Sequence, residues 1–257
     1  MSRAARVTGD QRTIHLHPTA PLAERVLLPG DPGRALRLAQ SLLDQPVMFN
    51  HNRGLWGYTG KLASGLELTI QSTGMGGPSA AIVIAELSEL GARQLIRVGT
   101  CGALDPRLEL GELLIVTEAI SSDGTSRALG AGHPLRPDPQ LLDALRAAAE
   151  GEAGRTRAGG AVRNGPVVST DLFYDGPEGE EERWTAAGAA AVEMETATLF
   201  ALAQRHGLQA ASLLLVSDLL VEGRVRIDAQ RLHQAEERLG QLAAAALEAT
   251  LEPSRSG

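Results

Sequence analysis

The sequence predicts a single-domain α/β fold with a mixed central sheet flanked by helices. Short apolar segments with strand character alternate with Ala- and Leu-rich segments of helical spacing along most of the chain, and this alternation is typical of α/β proteins. The 257 residues show no composition break and no Pro/Ser-rich linker. We therefore predict one folding unit over residues 14–252, with flexible termini at 1–13 and 253–257.

The first predicted elements are a buried strand at 25–28 and a helix that begins after it. Asp31 is expected to cap this helix and Pro32 to occupy its first position. The same reading places further strands at 58–62 and 66–71, which form a hairpin around Ser64 and Gly65, and at 95–98, 112–118, 162–169, 190–192 and 211–216. Further helices are predicted to end near Gly91 and to span 139–150, 178–188, 196–206 and 229–251.

The composition excludes several classes of function. The net charge is −7, whereas a surface that binds nucleic acid or an anionic membrane is basic. Cys101 is the single cysteine, so no internal disulfide can form, and we expect a cytoplasmic protein in which this residue packs in the core. The six histidines show no metal-ligand spacing, and no metal is predicted.

Three arginines stand in glycine-rich segments. Arg34 follows Gly30-Asp31-Pro32-Gly33, Arg53 precedes Gly54, and Arg97 opens the segment Arg97-Val98-Gly99-Thr100-Cys101-Gly102. Glycine permits close approach of a ligand to the backbone, and a guanidinium recognises an oxyanion in a bidentate manner. In an acidic chain, this repeated pairing indicates a site for a small anion such as phosphate.

Acidic residues follow two other predicted strands. Glu193 and Glu195 come after the strand at 190–192, and Asp218 comes after the strand at 211–216. Ligands of α/β sheets bind beyond the carboxyl ends of strands, which is also where two of the arginine segments fall. The combination suggests phosphate as a nucleophile and a carboxylic acid that assists the leaving group.

These segments, taken in order, resemble the nucleoside phosphorylase family and in particular its bacterial hexameric purine nucleoside phosphorylases. The matching segments are Leu27-Leu28-Pro29-Gly30-Asp31-Pro32-Gly33-Arg34, Ser72-Thr73-Gly74-Met75-Gly76-Gly77-Pro78-Ser79, Arg97-Val98-Gly99-Thr100-Cys101-Gly102-Ala103, Asp171-Leu172-Phe173-Tyr174, Val192-Glu193-Met194-Glu195 and Val216-Ser217-Asp218. The resemblance implies a central sheet that is partly barrel-like.

The resemblance also implies a role for each matching residue. Phosphate would be held by Gly30, Arg34, Arg97 and Thr100, with Arg53 from a neighbouring subunit. The nucleoside would be bound by Phe173, Val192, Glu193, Met194 and Glu195, with His15 from a neighbouring subunit. Asp218 would face the purine N7, assisted by Arg231. Two alternatives stay open, because Arg224 or Arg226 could replace Arg231 and His17 could replace His15.

The activity that the resemblance implies is phosphorolysis of purine ribonucleosides or deoxyribonucleosides to the free base and (deoxy)ribose 1-phosphate. The expected enzyme is a cytoplasmic homohexamer built as a trimer of dimers, with phosphate as co-substrate and no cofactor. One alternative is a uridine phosphorylase, but residues 175–191 lack that branch's Gln-x-Arg element. A hydrolytic nucleosidase would lack Arg34 and Arg97, and a nucleoside-binding protein without turnover would show decay at Asp218, Glu195 or the arginines.

Overall fold

The computed structural model of the protein describes residues 13–130, 132, 134–153, 160–220 and 224–250. Apart from Thr13, the predicted flexible termini lie outside this range. The strands are β1 (Arg25–Leu28), β2 (Asp44–Asn50), β3 (Gly57–Lys61), β4 (Glu67–Gln71), β5 (Gln94–Ala103), β6 (Leu113–Ser121), β7 (Val162–Ser169), β8 (Ala191–Glu193), β9 (Gln209–Leu219) and β10 (Val225–Arg226). The helices are α1 (Pro32–Leu42), α2 (Gly77–Leu90), α3 (Gly124–Ala128), α4 (Pro139–Ala153), α5 (Glu180–Ala186), α6 (Thr196–His206) and α7 (Ala229–Ala249).

The strands form one mixed sheet that partly closes into a barrel. Its order is β10-β9-β6-β7-β8-β5-β1-β4-β3-β2, and an additional parallel pairing joins β9 to β5. This pairing closes a ring through β5, β8, β7, β6 and β9, while β1, β4, β3 and β2 extend from β5 as an open arm. The predicted α/β class with a mixed, partly barrel-like sheet is confirmed.

Two apolar cores lie on opposite sides of the sheet. One contains buried residues of α2 and α6, including Phe200, and the other contains buried residues of α1, α4 and α7, including Leu38 and Leu239. Both are built largely from Ala, Val, Leu and Ile. Such cores close by tight packing of small side chains. No helix within the described residues is long and apolar enough to cross a membrane.

The start of α1 has the predicted capping arrangement. The Asp31 side chain accepts a hydrogen bond of 2.6 Å from the backbone N–H of Arg34, and Pro32 occupies the first turn. The cap satisfies one of the backbone donors that a helix leaves unpaired at its N-terminus. It also fixes where the chain turns from β1 into the helix that carries Arg34.

Two strands run further than the sequence predicts. The segments Gly99–Gly102 and Ser217–Asp218 are predicted to follow strand ends, but β5 continues to Ala103 and β9 to Leu219. These two extensions pair with each other, Gly102 with Asp218 and Ala103 with Leu219. Backbone hydrogen bonds across the ring therefore hold glycines in strand conformation, although glycine has low intrinsic strand propensity.

Four short elements are absent from the prediction: β2, α3, β10 and a 3₁₀ turn at Asn52–Gly54. Strand β2 has a polar, irregular sequence, with Gln45 at positive φ and two register irregularities against β3. A bulged edge strand of this kind lacks the alternation by which a strand is recognised in a sequence.

Candidate active site

A cavity of about 730 Å³ opens beside the ends of the parallel strands. Its walls come from the β1–α1 turn, the β4–α2 turn, the distal half of β5, the segment that follows β7, the β8–α6 turn and the end of β9. Ten of the predicted site residues line it: Gly30, Arg34, Arg97, Thr100, Phe173, Val192, Glu193, Met194, Glu195 and Asp218. The fold thus gathers residues that are up to 188 positions apart into one site.

Arg97 lines the cavity and is almost fully buried. Its Nε donates to Glu193 Oε2 at 2.9 Å, and its Nη2 lies 2.5 Å from Glu195 Oε2. Burial opposes the charge, but the carboxylates of Glu195 and Glu193 outweigh it and raise the pKa of Arg97. The cavity therefore holds a permanently charged, oriented guanidinium.

Glycine at position 99 makes room for that guanidinium. Arg97 and Gly99 lie on the same face of β5, because side chains two residues apart in a strand share a face. A Cβ atom at Gly99 would lie 2.7 Å from Cζ and Nη2 of Arg97. The Gly-Arg pairing recognised in the sequence is thus a steric requirement at this position.

Glu193 is fully engaged by protein donors. Besides the bond from Arg97, its oxygens accept hydrogen bonds from the Ser169 hydroxyl and from the backbone N–H groups of Glu195 (3.0 Å) and Thr196 (2.9 Å). The resemblance places Glu193 beside the base. In the structure it lines the cavity, and its carboxylate anchors Arg97 and the first turn of α6.

Glu195 is the more available carboxylate of the pair. Its Oε1 accepts a hydrogen bond of 2.5 Å from the backbone N–H of Gly76, at the start of α2. Burial and the charge of Glu193 raise the pKa of Glu195, whereas Arg97 opposes this rise. A carboxylate that only accepts hydrogen bonds suits a ligand that offers hydroxyl groups.

Arg34 provides a second buried guanidinium in the cavity lining. Its Nε donates to Glu236 Oε1 of α7 at 2.7 Å, and its Nη1 lies 3.4 Å from the carbonyl oxygen of Val98. Its side chain is 9% exposed. Two cationic groups in one cavity form a site for an anion that carries more than one charge.

Asp218 ends the apolar part of β9 and faces the cavity. Its Oδ2 accepts a hydrogen bond of 2.7 Å from the Ser217 hydroxyl. Its Oδ1 lies 3.0 Å from Arg226 Nε, but the N–H direction does not meet hydrogen-bond geometry, so this oxygen has no donor within the described residues. A buried carboxyl oxygen without a hydrogen-bond partner is costly to maintain, and a ligand removes this cost by offering a donor to the carboxylate or an acceptor to the protonated acid.

The arginine beside Asp218 in this structure is Arg226 and not Arg231. Strand β10 pairs Arg226 opposite Asp218 in the antiparallel register, whereas Arg231 donates through Nη2 to the carbonyl oxygen of Leu110 at 3.0 Å. Arg224, the remaining alternative, stacks over the Phe173 ring with Cζ 4.4 Å from its centroid. Phe173 and Arg224 both line the cavity.

Besides Arg231, two predicted site residues, His15 and Arg53, lie outside the cavity of their own chain. Nδ1 of His15 is 2.7 Å from Glu86 Oε1. Glu86 also accepts hydrogen bonds from the backbone N–H groups of residues 14–16. Burial alone would raise the pKa of Glu86, but these hydrogen bonds outweigh burial and lower it. Arg53 sits in the exposed 3₁₀ turn at positive φ. The amide of Asn52 donates to the carbonyl oxygen of His15 at 2.9 Å, so the two residues share one surface region.

His17, the alternative to His15, donates its backbone N–H to Asn50 Oδ1 at 2.9 Å, and its side chain contacts the nearby backbone. Its Nε2 is 3.1 Å from the carbonyl oxygen of Ile14.

The buried Cys101 has no nucleophilic arrangement. Burial raises the pKa of its thiol, and its sulfur lies 3.7 Å from the carbonyl oxygen of Leu215. It packs as the sequence predicts. Among the described residues, no group of three or more His, Cys, Asp or Glu side chains could hold a metal ion.

Sequence reasoning missed the supporting residues of the site. Ser169, Glu236 and the backbone N–H of Gly76 each contact a cavity residue from a distant part of the chain. Only Glu236 carries a sequence signal, because it occupies an apolar position of α7, three residues before Leu239. A charge on the buried face of a helix is normally paired.

The comparisons with known proteins place this site in a family. The sequence model of the phosphorylase superfamily matches residues 24–252. The chain belongs to the phosphorylase superfamily. A DeoD-type purine nucleoside phosphorylase of Geobacillus kaustophilus is 39% identical to this phosphorylase-superfamily chain over 206 residues, which cover 80% of the chain and 85% of the relative.

Two further relatives have similar coverage. A guanosine phosphorylase of Halorubrum lacusprofundi is 39% identical over 201 residues, covering 78% of this chain and 80% of the relative. A DeoD-type purine nucleoside phosphorylase of Alkaliphilus metalliredigens is 37% identical over 205 residues, which cover 79% of this chain and 85% of the relative. This member of the phosphorylase superfamily thus matches its relatives over most of their length.

The packing of Arg97 over Gly99 leads to a prediction. Gly99→Ala should weaken binding of inorganic phosphate by about tenfold or more, because one charge-assisted hydrogen bond contributes about 1.5–3 kcal/mol and the added methyl group displaces the guanidinium. Isothermal titration calorimetry measures the affinity. Gly132→Ala is the matched control, because a Cβ there meets no atom of the described residues within 4 Å. Equal phosphate affinity of Gly99→Ala and the control would show that Arg97 is not a phosphate ligand.

Proposed function

We propose that the protein cleaves purine ribonucleosides and deoxyribonucleosides with phosphate, releasing the free purine and (deoxy)ribose 1-phosphate. The observation that carries this proposal is the cavity itself. It combines two buried arginines, a carboxylate suited to hydroxyl groups and an aspartate with an unsatisfied oxygen. The family membership and the names of the relatives support the same reaction.

The arginines position the nucleophile. Arg34 and Arg97 bind phosphate, and Thr100 and the backbone at Gly30 complete the site from the same chain. All four line the cavity. Holding phosphate beside C1′ of the sugar converts a bimolecular attack into an oriented one, and the fixed charges replace the water that the anion loses. The reaction needs no cofactor.

The sugar and the base occupy the other side of the cavity. Glu195 accepts hydrogen bonds from the ribose hydroxyls, with Met194 against the ring, and Phe173 and Val192 pack against the base. In its protonated form, Asp218 gives its carboxyl proton to N7, which neutralises the leaving purine and leaves Asp218 as the carboxylate. Arg226, 3.0 Å from Asp218 Oδ1, then stabilises the aspartate that remains after proton transfer.

The alternatives are less well supported. The segment between Tyr174 and Val192 forms the acidic helix α5 and contains no Gln-x-Arg element for a pyrimidine. A hydrolase that uses water needs no pair of buried arginines. The relatives named above are purine nucleoside and guanosine phosphorylases.

Dependence on phosphate tests the proposed reaction directly. Inosine cleavage should require inorganic phosphate and should yield hypoxanthine and ribose 1-phosphate in equal amounts, because phosphate is the nucleophile. Uridine, assayed in parallel, should react far more slowly. Cleavage at the same rate in phosphate-free buffer, with free ribose as the product, would instead identify a hydrolytic nucleosidase.

The role of Asp218 can be separated from positioning by the choice of leaving group. Asp218→Asn removes the transferable proton and keeps the shape of the side chain, so inosine turnover should fall by about 10²–10⁴-fold. 7-Methylguanosine already carries a positive charge on its purine and should be much less affected. Comparison of kcat for the two substrates measures the difference, and equal slowing of both would assign Asp218 a purely positional role.

We also propose that the active protein is a cytoplasmic homohexamer, a trimer of dimers in which His15 and Arg53 of one subunit complete a neighbour's site. Both residues lie away from their own cavity and share one surface region. Large apolar side chains flank them in the chain and are exposed in the single subunit: Ile14, Val47, Met48 and Trp56. An apolar surface of this kind is typical of a face that a second subunit covers.

Mixing of inactive variants tests the shared site. Arg53→Ala and Glu195→Ala subunits should each be weakly active alone, and subunit exchange should restore part of the activity because some sites then contain both wild-type residues. Light scattering should give the mass of a hexamer at the assay concentration. A fully active monomer would contradict the shared site.

A further inference from the structure

We propose that Glu236 of the C-terminal helix is a positioning residue that orients Arg34 for phosphate. This inference rests on the proposed function and extends it to a residue outside the cavity lining. Glu236 is 202 positions from Arg34 in the sequence, and its carboxylate lies 2.7 Å from Arg34 Nε. Phosphate affinity would then depend on a side chain that does not touch phosphate.

The contact is buried on both sides. The side chains of Arg34 and Glu236 are 9% and 3% exposed. Moving a carboxylate out of water costs several kcal/mol, and a buried ion pair is therefore weak evidence for a gain in stability. Helix α7 could bury an apolar residue at this position, beside Leu239 and Ala243, at lower cost. The carboxylate at this position is best explained by its contact with Arg34, whose guanidinium it orients.

Its effect on Arg34 is to fix the plane of the guanidinium. An arginine side chain has several rotatable bonds, and an unrestrained side chain would lose this rotamer freedom on binding phosphate. Glu236 engages Nε, and the carbonyl oxygen of Val98 lies 3.4 Å from Nη1. A guanidinium held in this way is oriented before the anion arrives, and preorganisation increases affinity.

The second oxygen of Glu236 is held by another residue of α1. Arg37 donates to Glu236 Oε2 from Nη2 at 2.6 Å and from Nε at 3.2 Å, and its Nη2 is also 3.7 Å from Asp31 Oδ1. Arg37 is half-exposed and does not line the cavity. Arg37 therefore holds the Glu236 carboxylate from the solvent side. The other carboxylate oxygen, on the buried side, orients Arg34.

Close packing of the two helices makes the contact possible. At Gly240, one turn after Glu236, a Cβ atom would lie 2.4 Å from Leu38 Cδ2 of α1. Glycine in a helix interior is destabilising relative to alanine. Its presence lets α7 approach α1 closely, at the level where Glu236 meets Arg34 and Arg37.

Substitution of Glu236 tests the proposal. Glu236→Gln should raise the KM for phosphate, and the Kd of inorganic phosphate measured by calorimetry, by about tenfold. The KM for inosine and kcat at saturating phosphate should change little. Glu237→Gln, at the next and exposed position of α7, is the matched control and should behave as wild type in all four constants.

A double-mutant cycle separates positioning from a general structural effect. Glu236→Gln should weaken phosphate binding much less in an Arg34→Met background than in the wild type, because the residue it orients is gone. Glu236→Asp keeps the charge but shortens the side chain, so it should fold if Glu236→Gln does not and should also raise the phosphate KM.

Three results would overturn the proposal: unchanged phosphate Kd in Glu236→Gln, an equal loss with and without Arg34, or a fall in kcat with both KM values constant. A wild-type protein that binds phosphate but does not cleave inosine would refute the proposed function and leave the calorimetric comparison decisive for Glu236. A wild type that does not bind phosphate would refute both.

Discussion

The buried ion pairs between Arg97 and the carboxylates of Glu193 and Glu195 are the interaction on which the site depends. Arg97 lies on β5, and the two glutamates lie at the end of β8 and in the turn before α6. Removal of one partner from a buried ion pair leaves an uncompensated charge, which lowers the free energy of unfolding by about 3–5 kcal/mol. The cluster therefore couples the geometry of the cavity to the stability of the strands that carry it.

Closure of the sheet is what brings the members of this cluster together. β5 pairs with β8 on one edge and with β9 on the other, so Glu193, Arg97 and Asp218 come from three strands of one ring. The extended pairing of β5 with β9 keeps Gly99 in strand geometry, and this leaves space for the Arg97 guanidinium. An open sheet with the shorter strands predicted from sequence would not fix these three side chains relative to one another.

The sequence predicts the parts of the fold and site that have local signals. It does not predict the strand ends and side-chain partners that depend on pairing between distant strands. The Asp31 cap, the end of α2 at Gly91 and the strand at 162–169 have strong local signals and are confirmed. The ends of β5 and β9 are set by their mutual pairing. The glycine-rich end of β5 lacks the apolar alternation by which a strand is recognised in a sequence. The partner of Asp218 is likewise set by the two-residue strand β10, which is too short to give a periodic pattern.

Each buried arginine of the cavity has a carboxylate that orients it, and this arrangement explains how an acidic chain can present a cationic site. Glu193 engages Nε of Arg97, and Glu236 engages Nε of Arg34. In both cases the carboxylate offsets part of the desolvation cost of the guanidinium, while the fork of the arginine lines the cavity. An anion that enters then meets donors that are already oriented. Glu195 adds a second contact on Arg97, at Nη2. Because these carboxylates offset much of the positive charge, the gain is in geometry more than in charge, and the site selects a ligand that can accept directed hydrogen bonds over one that is merely negative.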